Sequence, residues 1–324
     1  MDEFVLAVDL GGTNLRMAVV GRDGGIIHRE RCSTPHTGGA EAIVSAIANL
    51  AEKCRSAVDG NSLSRSLAIA APVIMKLAEH RIDSAPNLPM LNGTDLAGEL
   101  NRKLNVDVVL ENDATAAAIG EHWLGASRGF DSSICVTLGT GVGGGIILHG
   151  KPLRGPDGTA GEIGHICVEP NGKACGCGSW GCLEQYASAT AVVRMARELA
   201  AGSGSLLKDD VDLTAKDVFE AALKGDATAI EAFKRMGYYL GLALAGLANV
   251  LNPEVIVIAG GMAAAWDAFI EETRIQIKTR AFREPADRVK LVRAELGDDA
   301  GILGVASLAL LKSYERVDQV DPLQ

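Results

Sequence analysis

The sequence predicts a duplicated α/β architecture with two domains around a cleft. A unit of strand, glycine turn and strand occurs at "FVLAVDLGGTNLRMAVV" and again at "SSICVTLGTGVGGGIILHG", and each copy is followed by further strands and helices. No low-complexity linker separates the copies, so we expect a short hinge. We place the domains at 1–116 and 117–302, and expect a final helix near 303–316 to pack back on the first domain.

The first copy opens with an apolar run at residues 5–8, which predicts a strand ending at Asp9. Gly11 and Gly12 supply the turn, and residues 15–20 form the return strand. "GGIIHRER" then predicts a third strand.

Helices and buried strands follow. Residues 39–57 carry apolar side chains at helical spacing, at Ile43, Ile47 and Leu50. "SLAIAAPVI" and "VDVVLEND" predict buried strands, and "ATAAAIGEHWLG" predicts a helix with Asp113 as its N-cap. In the second copy, "PEVIVIAGGM" predicts a strand that runs into a glycine turn and then a helix.

Composition excludes several classes of protein. The chain has 324 residues, 48% of them hydrophobic, which is enough to bury two cores. Its net charge of -10 and the lack of a basic run argue against nucleic acid as a partner. No apolar run reaches the roughly 18 residues of a membrane span, and no signal peptide is visible. An odd count of seven scattered and clustered cysteines favours reduced thiols and a cytoplasmic location.

Both glycine turns have the composition of phosphate-binding loops. Glycines let backbone N–H groups approach a phosphate, hydroxyls add donors, and a strand-end carboxylate such as Asp9 can hold Mg²⁺ or its water shell. A tight hairpin is the alternative for either turn, but two matching copies favour the phosphate sites. Neither turn is a Walker A loop or a dinucleotide fingerprint. The residues assigned to the nucleotide here are Asp9, Gly11, Gly12, Thr13, Asn14, Thr137, Gly139, Thr140 and Gly141.

A third glycine pair, Gly260 and Gly261, lies between a predicted buried strand and a helix. It is either a simple strand-to-helix turn or a place where the backbone approaches the adenosine of a nucleotide. We retain both interpretations and assign the pair to the nucleotide site.

These turns, together with "LENDATAAA" and with "GEIGH" followed by "CGCGSWGCLE", resemble the ROK family of sugar kinases and repressors over nearly the whole chain. The resemblance implies the actin-like, ribonuclease-H-like ATPase fold. It also implies ATP-dependent phosphorylation of a hexose, most like the bacterial glucokinases of the family, with ATP, Mg²⁺ and a structural Zn²⁺ as cofactors. Repressor members carry an N-terminal helix-turn-helix, for which the strand beginning near Phe4 leaves no room.

The resemblance also implies the roles of individual residues. Asp113 would be the catalytic base, and a carboxylate suits this role because a kinase must remove a proton from the attacking hydroxyl. A zinc ion would be held by His165, Cys175, Cys177 and Cys182. The implied sugar contacts are Asn87, Asn112, Asp113, Glu162, His165 and Glu184.

The cysteine cluster has other interpretations from its residues alone. A disulfide between Cys175 and Cys177 would close a very short loop, and a redox site usually shows C-x-x-C. Inert thiols remain the alternative to a structural Cys₃His zinc site. Nearby Cys167 is outside the ligand pattern, and we expect it to be a buried thiol.

The sequence departs from the family at "AIAAPVIMKLAEHRIDSAPNLP", where Ala70 and Ala71 stand in glycine-like places before Pro72 and Val73. If this backbone meets the sugar, the extra methyl groups would narrow the pocket and favour glucose over N-acetylated sugars. The alternatives kept open are N-acetylmannosamine, N-acetylglucosamine, fructose or allose as substrate, a donor other than ATP, and a non-catalytic sugar sensor. A homodimer is expected from the family.

Overall fold

The computed structural model of the chain describes residues 4–58, 62–76, 81–201, 204–205, 207 and 212–318, with the backbone alone at 312–318. Its strands are β1 (Phe4–Leu10), β2 (Asn14–Gly21), β3 (Ile26–Ser33), β4 (Leu63–Ala71), β5 (Ile74–Lys76), β6 (Arg81–Ser84), β7 (Asp107–Asn112), β8 (Ser133–Leu138), β9 (Val142–Leu148), β10 (Lys151–Pro152), β11 (Val255–Ala259) and β12 (Lys290–Arg293). Its α-helices are α1 (Gly39–Ser56), α2 (Leu96–Leu104), α3 (Asp113–Trp123), α4 (Glu184–Ala187), α5 (Ala189–Ala200), α6 (Ala215–Leu223), α7 (Ala227–Leu251), α8 (Trp266–Arg280), α9 (Arg283–Arg288) and α10 (Ala300–Asp318).

The predicted duplication is present in the two five-stranded sheets. The first has the order β3-β2-β1-β4-β7 and the second has the order β10-β9-β8-β11-β12. In each sheet an antiparallel pair joined by a glycine turn (β1 with β2, β8 with β9) is extended by parallel strands on the other side. A separate two-stranded sheet pairs β5 with β6.

Burial explains why these segments form these elements. In β1 residues 5–8 are all buried, as expected for a strand with a neighbour on each side and covered faces. β3 alternates between partly buried and exposed residues, which suits its place at the edge of the sheet. The buried stripe of α1 includes the predicted Ile43, Ile47 and Leu50.

The chain divides into two units. The first comprises the chain up to Arg128, the segment Pro152–Ala160 and the chain from Asp298 onward. The second comprises Gly129–Lys151 and Gly161–Gly297. The division after Arg128 differs from the predicted boundary at 116/117, which would cut α3 in two.

Helix packing is the reason for this difference. α3 and α10 pack closely, and α10 also contacts β4 and β1. A Cβ atom on Gly120 of α3 would lie 2.2 Å from the Ala300 carbonyl oxygen, and one on Gly304 of α10 would lie 1.8 Å from that of Ala116. The two backbones are therefore too close for any side chain at these positions, and α3 stays with the first unit. α10 begins at Ala300, slightly before the predicted start at 303.

None of the described helices combines the length and the apolar character that a bilayer-spanning helix needs.

Candidate active site

The turn between β1 and β2 is held by backbone hydrogen bonds and by Thr34. The Gly11 N–H donates to the Asn14 carbonyl at 2.9 Å, and the Thr34 N–H donates to the Thr13 carbonyl at 2.9 Å. The Thr34 hydroxyl donates to the Gly11 carbonyl at 2.7 Å. Thr13 and Asn14 are exposed. Thr34 is buried and fixes the turn through these two hydrogen bonds. Sequence reasoning missed this role of Thr34.

Asp9, the predicted Mg²⁺ ligand, is paired with an arginine. Asp9 and Arg16 face each other across β1 and β2. The Oδ2 atom of Asp9 accepts from Arg16 Nε at 3.0 Å and also from its Nη2. The Nη1 atom of Arg16 lies 3.6 Å from Oδ2 of Asp298, whose side chain is almost fully exposed. One oxygen of Asp9 is thus engaged by a guanidinium.

A cavity of about 440 Å³ opens at this turn in the first unit. It is lined by Asp9, Gly11, Thr13, Asn14, Arg16, Arg31 and Asp298. Two guanidinium groups in a cavity beside a glycine turn suit an anionic, phosphate-bearing ligand. Sequence reasoning missed Arg16, Arg31 and Asp298. Two features could have indicated the arginines. Arg16 lies two residues after Asn14 on β2, so both side chains lie on one face of the sheet. Arg31 on β3 is the strand partner of Arg16.

Asn87 lies beside the same turn. A Cβ atom on Gly12 would be 3.3 Å from the Asn87 Cβ atom. Asn87 is exposed, in a loop where the Leu88 N–H donates to the Ala85 carbonyl at 2.9 Å. The structure therefore brings this predicted sugar residue next to a predicted phosphate turn.

The end of β7 corrects one prediction. The N-cap of α3 is Asn112 and not Asp113: Oδ1 of Asn112 accepts from the N–H groups of Ala114 at 3.0 Å and Thr115 at 3.1 Å. Asp113 is the first helical residue, exposed, with Oδ1 accepting from the Ala114 N–H at 2.8 Å. The cap is Asn112 because it has the extended backbone of the strand end, while Asp113 is already helical.

Behind these residues lies a buried ion pair. Glu111 is 8% exposed. Its Oε2 atom accepts from Arg154 Nε at 2.8 Å and Nη2 at 2.6 Å. Its Oε1 atom accepts from the Asn112 N–H at 3.1 Å. The pair fixes the segment Pro152–Ala160 to the strand that presents Asn112 and Asp113.

The segment that departs from the family pattern, around Ala70 and Ala71, does not narrow a sugar pocket with its methyl groups as predicted. Ala70 and Ala71 are the last residues of β4, and both are fully buried. Val73 is buried too, and its carbonyl accepts from Nδ2 of Asn112 at 3.3 Å. The methyl groups are therefore part of the core, because the strand continues to Ala71, and they carry no argument about the sugar. Residues 77–80 of this segment lie outside the described residues.

In the second unit, two predicted glycine turns meet. Thr137 of β8 and Ala259 of β11 are parallel partners, so the turns that follow them are neighbours. Gly260 has φ +82°, and a Cβ atom there would lie 2.4 Å from the Leu138 carbonyl oxygen. Added Cβ atoms on Gly139 and Gly261 would meet nothing within 4 Å. The backbone therefore borders open space at these two glycines.

Other glycines of "LGTGVGGG" serve packing. A Cβ atom on Gly144 would lie 2.5 Å from side-chain atoms of Ile163, and one on Gly164 would lie 2.0 Å from the Val142 carbonyl oxygen. The "GEIGH" segment therefore lies directly on β9. The glycine-rich sequence of β9 is explained by this close approach, which places Glu162 and His165.

Glu162, His165 and Glu184 form one cluster. Nε2 of His165 is 3.9 Å from Oε2 of Glu162. Burial raises the pKa of Glu162, His165 acts against this rise, and the charge of Glu184 adds to it. Oε2 of Glu184 accepts from the Val142 N–H at 3.1 Å. The three predicted sugar residues of this unit thus share one polar region.

The ligand atoms of His165, Cys175, Cys177 and Cys182 all lie within 4.8 Å of one another. Nδ1 of His165 is 3.7 Å from Cys175 Sγ, and the Sγ atoms of Cys177 and Cys182 are 3.7 Å apart. Burial, reinforced by the neighbouring sulfurs, raises the pKa of Cys182 to about 12, whereas the Ser179 backbone lowers the pKa of Cys177. Three thiols in this arrangement favour a cation, which stabilises their thiolates together.

A small hairpin presents these cysteines. Ala174 and Trp180 pair across it, and the Cys175 N–H donates to the Ser179 carbonyl at 2.8 Å. Cys167 pairs with Cys182 in the backbone, but its side chain is exposed, so the prediction of a buried thiol is wrong. The sequence does not indicate this exposure.

Comparison with known proteins decides the family. A profile described as "ROK family" matches residues 5–312. The chain belongs to the ROK family. A glucokinase of Halalkalibacterium halodurans is 40% identical over 313 residues, 94% of this chain and 94% of the relative. The crystal structure of a ROK family glucokinase from Streptomyces griseus in complex with glucose and AMPPNP is 35% identical, with a TM-score of 0.80, covering 95% of this chain and 99% of that one. An N-acetylmannosamine kinase of Shigella boydii is 32% identical over 306 residues, 94% of this chain and 97% of the relative.

In this ROK chain, which has the actin-like two-domain ATPase fold of its family, the predicted site residues fall in both units. The first holds Asp9, Gly11, Gly12, Thr13, Asn14, Asn87, Asn112 and Asp113. The second holds Thr137, Gly139, Thr140, Gly141, Glu162, His165, Cys175, Cys177, Cys182, Glu184, Gly260 and Gly261. Each unit therefore contributes a glycine turn and polar residues of the kinds that sugars and phosphates require.

Proposed function

We propose that the protein phosphorylates a hexose with ATP, most simply glucose to glucose 6-phosphate, with Asp113 as general base. The observation that carries the proposal is Asp113 itself, an exposed carboxylate on the first turn of α3 at the carboxyl end of a parallel strand. The glucokinases that the chain resembles over most of its length support the reaction.

Asp113 suits proton removal in its charge and its position. The N-terminal end of a helix stabilises a carboxylate in its ionised form, which a general base needs. As the sugar hydroxyl attacks the γ-phosphorus, its proton passes to Asp113, the bond from phosphorus to the ADP oxygen breaks, and ADP leaves.

The phosphates would lie along the glycine turns. Gly139 and Gly261 leave open space, and Arg16 and Arg31 supply positive charge in the cavity of the first turn. Asp9 fits a Mg²⁺ site, because one carboxylate beside a phosphate cavity suits an ion that retains most of its water. A Mg²⁺ ion would supply positive charge to the phosphoryl oxygens.

In the first unit, the sugar-binding residues we propose are Asn87, Asn112 and Asp113. In the second unit, they are the cluster of Glu162, His165 and Glu184. Asn112 uses Oδ1 for the helix cap and donates one Nδ2 proton to Val73. Its part in sugar binding is therefore its second amide proton, and the acceptors for sugar hydroxyls are the carboxylates. Carboxylates and amides discriminate between sugars because hydroxyls must meet them in fixed directions.

The Cys₃His cluster fits a structural zinc. Tetrahedral coordination with Zn–S bonds of about 2.3 Å places two sulfurs about 3.8 Å apart, close to the 3.7 Å between Cys177 and Cys182. The zinc would fix the hairpin next to Glu184, and would not take part in phosphoryl transfer. His165 would bind it through Nδ1 and leave Nε2 on the side of Glu162.

Glucose is preferred because of the glucokinase relatives, and N-acetylmannosamine is the second candidate because of the kinase relative that acts on it. The buried alanines Ala70 and Ala71 do not separate the two. A mis-set hydroxyl costs about 1–3 kcal/mol, which is roughly 5- to 150-fold in kcat/KM. We expect a panel of hexoses with ATP to show glucose ahead of its epimers by such a factor.

Product formation is measured by coupling to glucose-6-phosphate dehydrogenase for glucose, and by ADP release for the other sugars. Asp113→Asn should lower kcat by roughly 10²–10⁴-fold with a small change in sugar affinity. Brisk turnover of an N-acetylhexosamine without any NADPH from glucose would replace glucose by the second candidate. An absence of turnover with every sugar, despite binding, would favour the sensor. The cleft, the homodimer and the cytoplasmic location remain predictions from the family and the sequence.

A further inference from the structure

Glu184 lies against the turn between β8 and β9. It is the first residue of α4, and its Oε2 atom accepts from the Val142 N–H at 3.1 Å. A Cβ atom on Gly141 would lie only 2.3 Å from the same oxygen. The carboxylate therefore occupies the space that the missing side chain of Gly141 leaves, and it helps to fix the end of the turn.

The same turn is held from the helix that follows. The Ala189 N–H donates to the Gly139 carbonyl at 2.8 Å, and the Thr190 hydroxyl donates to the Thr140 carbonyl at 2.9 Å. These two bonds involve the first half of the turn. Glu184 supplies the carboxylate contact at its second half, where Gly141 meets Val142.

On its other side, Glu184 belongs to the polar cluster of the second unit. Its Oε1 atom is 4.0 Å from the sulfur of Cys175. The negative charge of Glu184 raises the pKa of Glu162. One carboxylate thus contacts the glycine turn with one oxygen, and the hairpin of cysteines with the other.

We propose that Glu184 couples sugar binding to nucleotide binding, with a sugar hydroxyl on its carboxylate holding it against Val142 and so fixing the turn in the form that receives the phosphates. The proposal rests on the function proposed above. A flexible glutamate side chain loses rotamer freedom when it is fixed, which costs free energy. The ligand that binds first bears that cost, and the second ligand binds more tightly as a result. Because coupling is reciprocal, each substrate raises the affinity for the other by the same factor.

Two glycines in the same turn allow a matched test. Gly141→Ala places a methyl group in the space of the Glu184 carboxylate, whereas Gly139→Ala meets nothing within 4 Å. The affinity for AMP-PNP with Mg²⁺ is measured by titration calorimetry on the full chain, with and without saturating glucose. We expect glucose to strengthen AMP-PNP binding at least about fivefold in the wild type.

In Gly141→Ala this factor should fall close to one. In Gly139→Ala the affinity for AMP-PNP can itself fall, but by the same factor with and without glucose, so the coupling remains. Hydrogen exchange at the Val142 amide gives a second readout without nucleotide: glucose should slow it in the wild type and in Gly139→Ala, and leave it unchanged in Gly141→Ala.

Failures of the coupling and of the proposed function give different results. If both ligands bind the wild type but independently, or if Gly141→Ala keeps the wild-type factor, the coupling is overturned and the kinase function stands. Equal loss of coupling in both alanine variants overturns the specific role of Glu184. If no hexose binds or turns over, the proposed function fails, and the coupling fails with it. If Gly141→Ala does not fold, hydrogen exchange at the Val142 amide of the wild type is the test. If glucose leaves the rate of that exchange unchanged, the proposal is overturned.

Discussion

The ion pair between Glu111 and Arg154 allows a sharp test of how the end of β7 is held in place. The side chain of Glu111 is 10% exposed and receives both guanidinium donors on one oxygen, whereas the side chain of Arg154 is 36% exposed. Arg154→Met would leave a buried carboxylate with the Asn112 N–H as its remaining donor among the bonds described above. Breaking a buried pair in this way costs about 3–5 kcal/mol.

The partial exposure of Arg154 admits water to that side, so we expect the lower end, about 3 kcal/mol. At 2–4 °C per kcal/mol this is a fall of roughly 6–12 °C in the thermal midpoint of unfolding. Glu111→Gln should cost less, about 1–2 kcal/mol, because its amide oxygen still accepts from Asn112 and the arginine left behind is partly solvated.

The double variant decides the matter. With Gln at 111, no buried charge remains when Arg154 is replaced by Met, so the double variant should be more stable than Arg154→Met alone by at least about 1 kcal/mol. Thermal unfolding followed by circular dichroism measures all four proteins. The reasoning holds that the two single variants differ in stability because Glu111 is buried and Arg154 is partly exposed. It would be refuted if both single variants lost the same free energy of unfolding and the two losses simply added in the double variant.

Three further predictions follow from individual contacts. Arg16→Met removes a guanidinium from the cavity beside Asp9 and should weaken AMP-PNP binding by roughly 10- to 100-fold while glucose affinity stays unchanged; calorimetry with equal AMP-PNP affinity would contradict it. Purified protein should contain about one zinc per chain by atomic absorption, and Cys177→Ala should lower zinc content, thermal midpoint and sugar affinity together; fully active protein without zinc would show the site to be something else. A hydrogen bond from Arg29 lowers the pKa of Asp299, so the pair stabilises the folded state above the carboxyl pKa of the unfolded chain and ceases to do so as pH falls through the folded value. Arg29→Met should therefore cost at most about 1 kcal/mol near neutral pH, because solvent screens the pair, and urea midpoints that still differ from wild type well below pH 4 would contradict this assignment.

Local patterns in the sequence predict the elements well, because each depends on residues that are neighbours in the chain. The buried run of β1, the alternation of β3 and the stripe of α1 are examples. The N-cap of α3 is a harder case, since Asn112 and Asp113 are both good capping residues. Only the backbone at the end of β7, which is extended at Asn112 and helical at Asp113, decides between them.

Long-range packing is what the sequence does not reveal. The boundary after Arg128 depends on the contact between Gly120 and Gly304, which lie far apart in the chain. The place of Ala70 and Ala71 in the core depends on β4 continuing between β1 and β7. In both cases a local pattern of small residues is compatible with more than one partner, so a prediction from one sequence has no means of choosing.

The two glycine turns show how one topology carries two chemistries. Both follow the first strand of a five-stranded sheet, and Asp9 in β1 occupies the place of Thr137 in β8. Across the hairpin, Asp9 faces Arg16, whereas Thr137 faces Gly143. The first copy therefore carries charge at its turn, which suits the Mg²⁺ and phosphate proposed above. The second copy has glycines along β9, and the segment with Glu162 and His165 packs directly onto them. The backbone of the strand-turn-strand unit repeats, but its side chains do not. The sequence repeat therefore predicts where the two turns lie. Only the side-chain contacts of each turn predict which part of the reaction that turn serves.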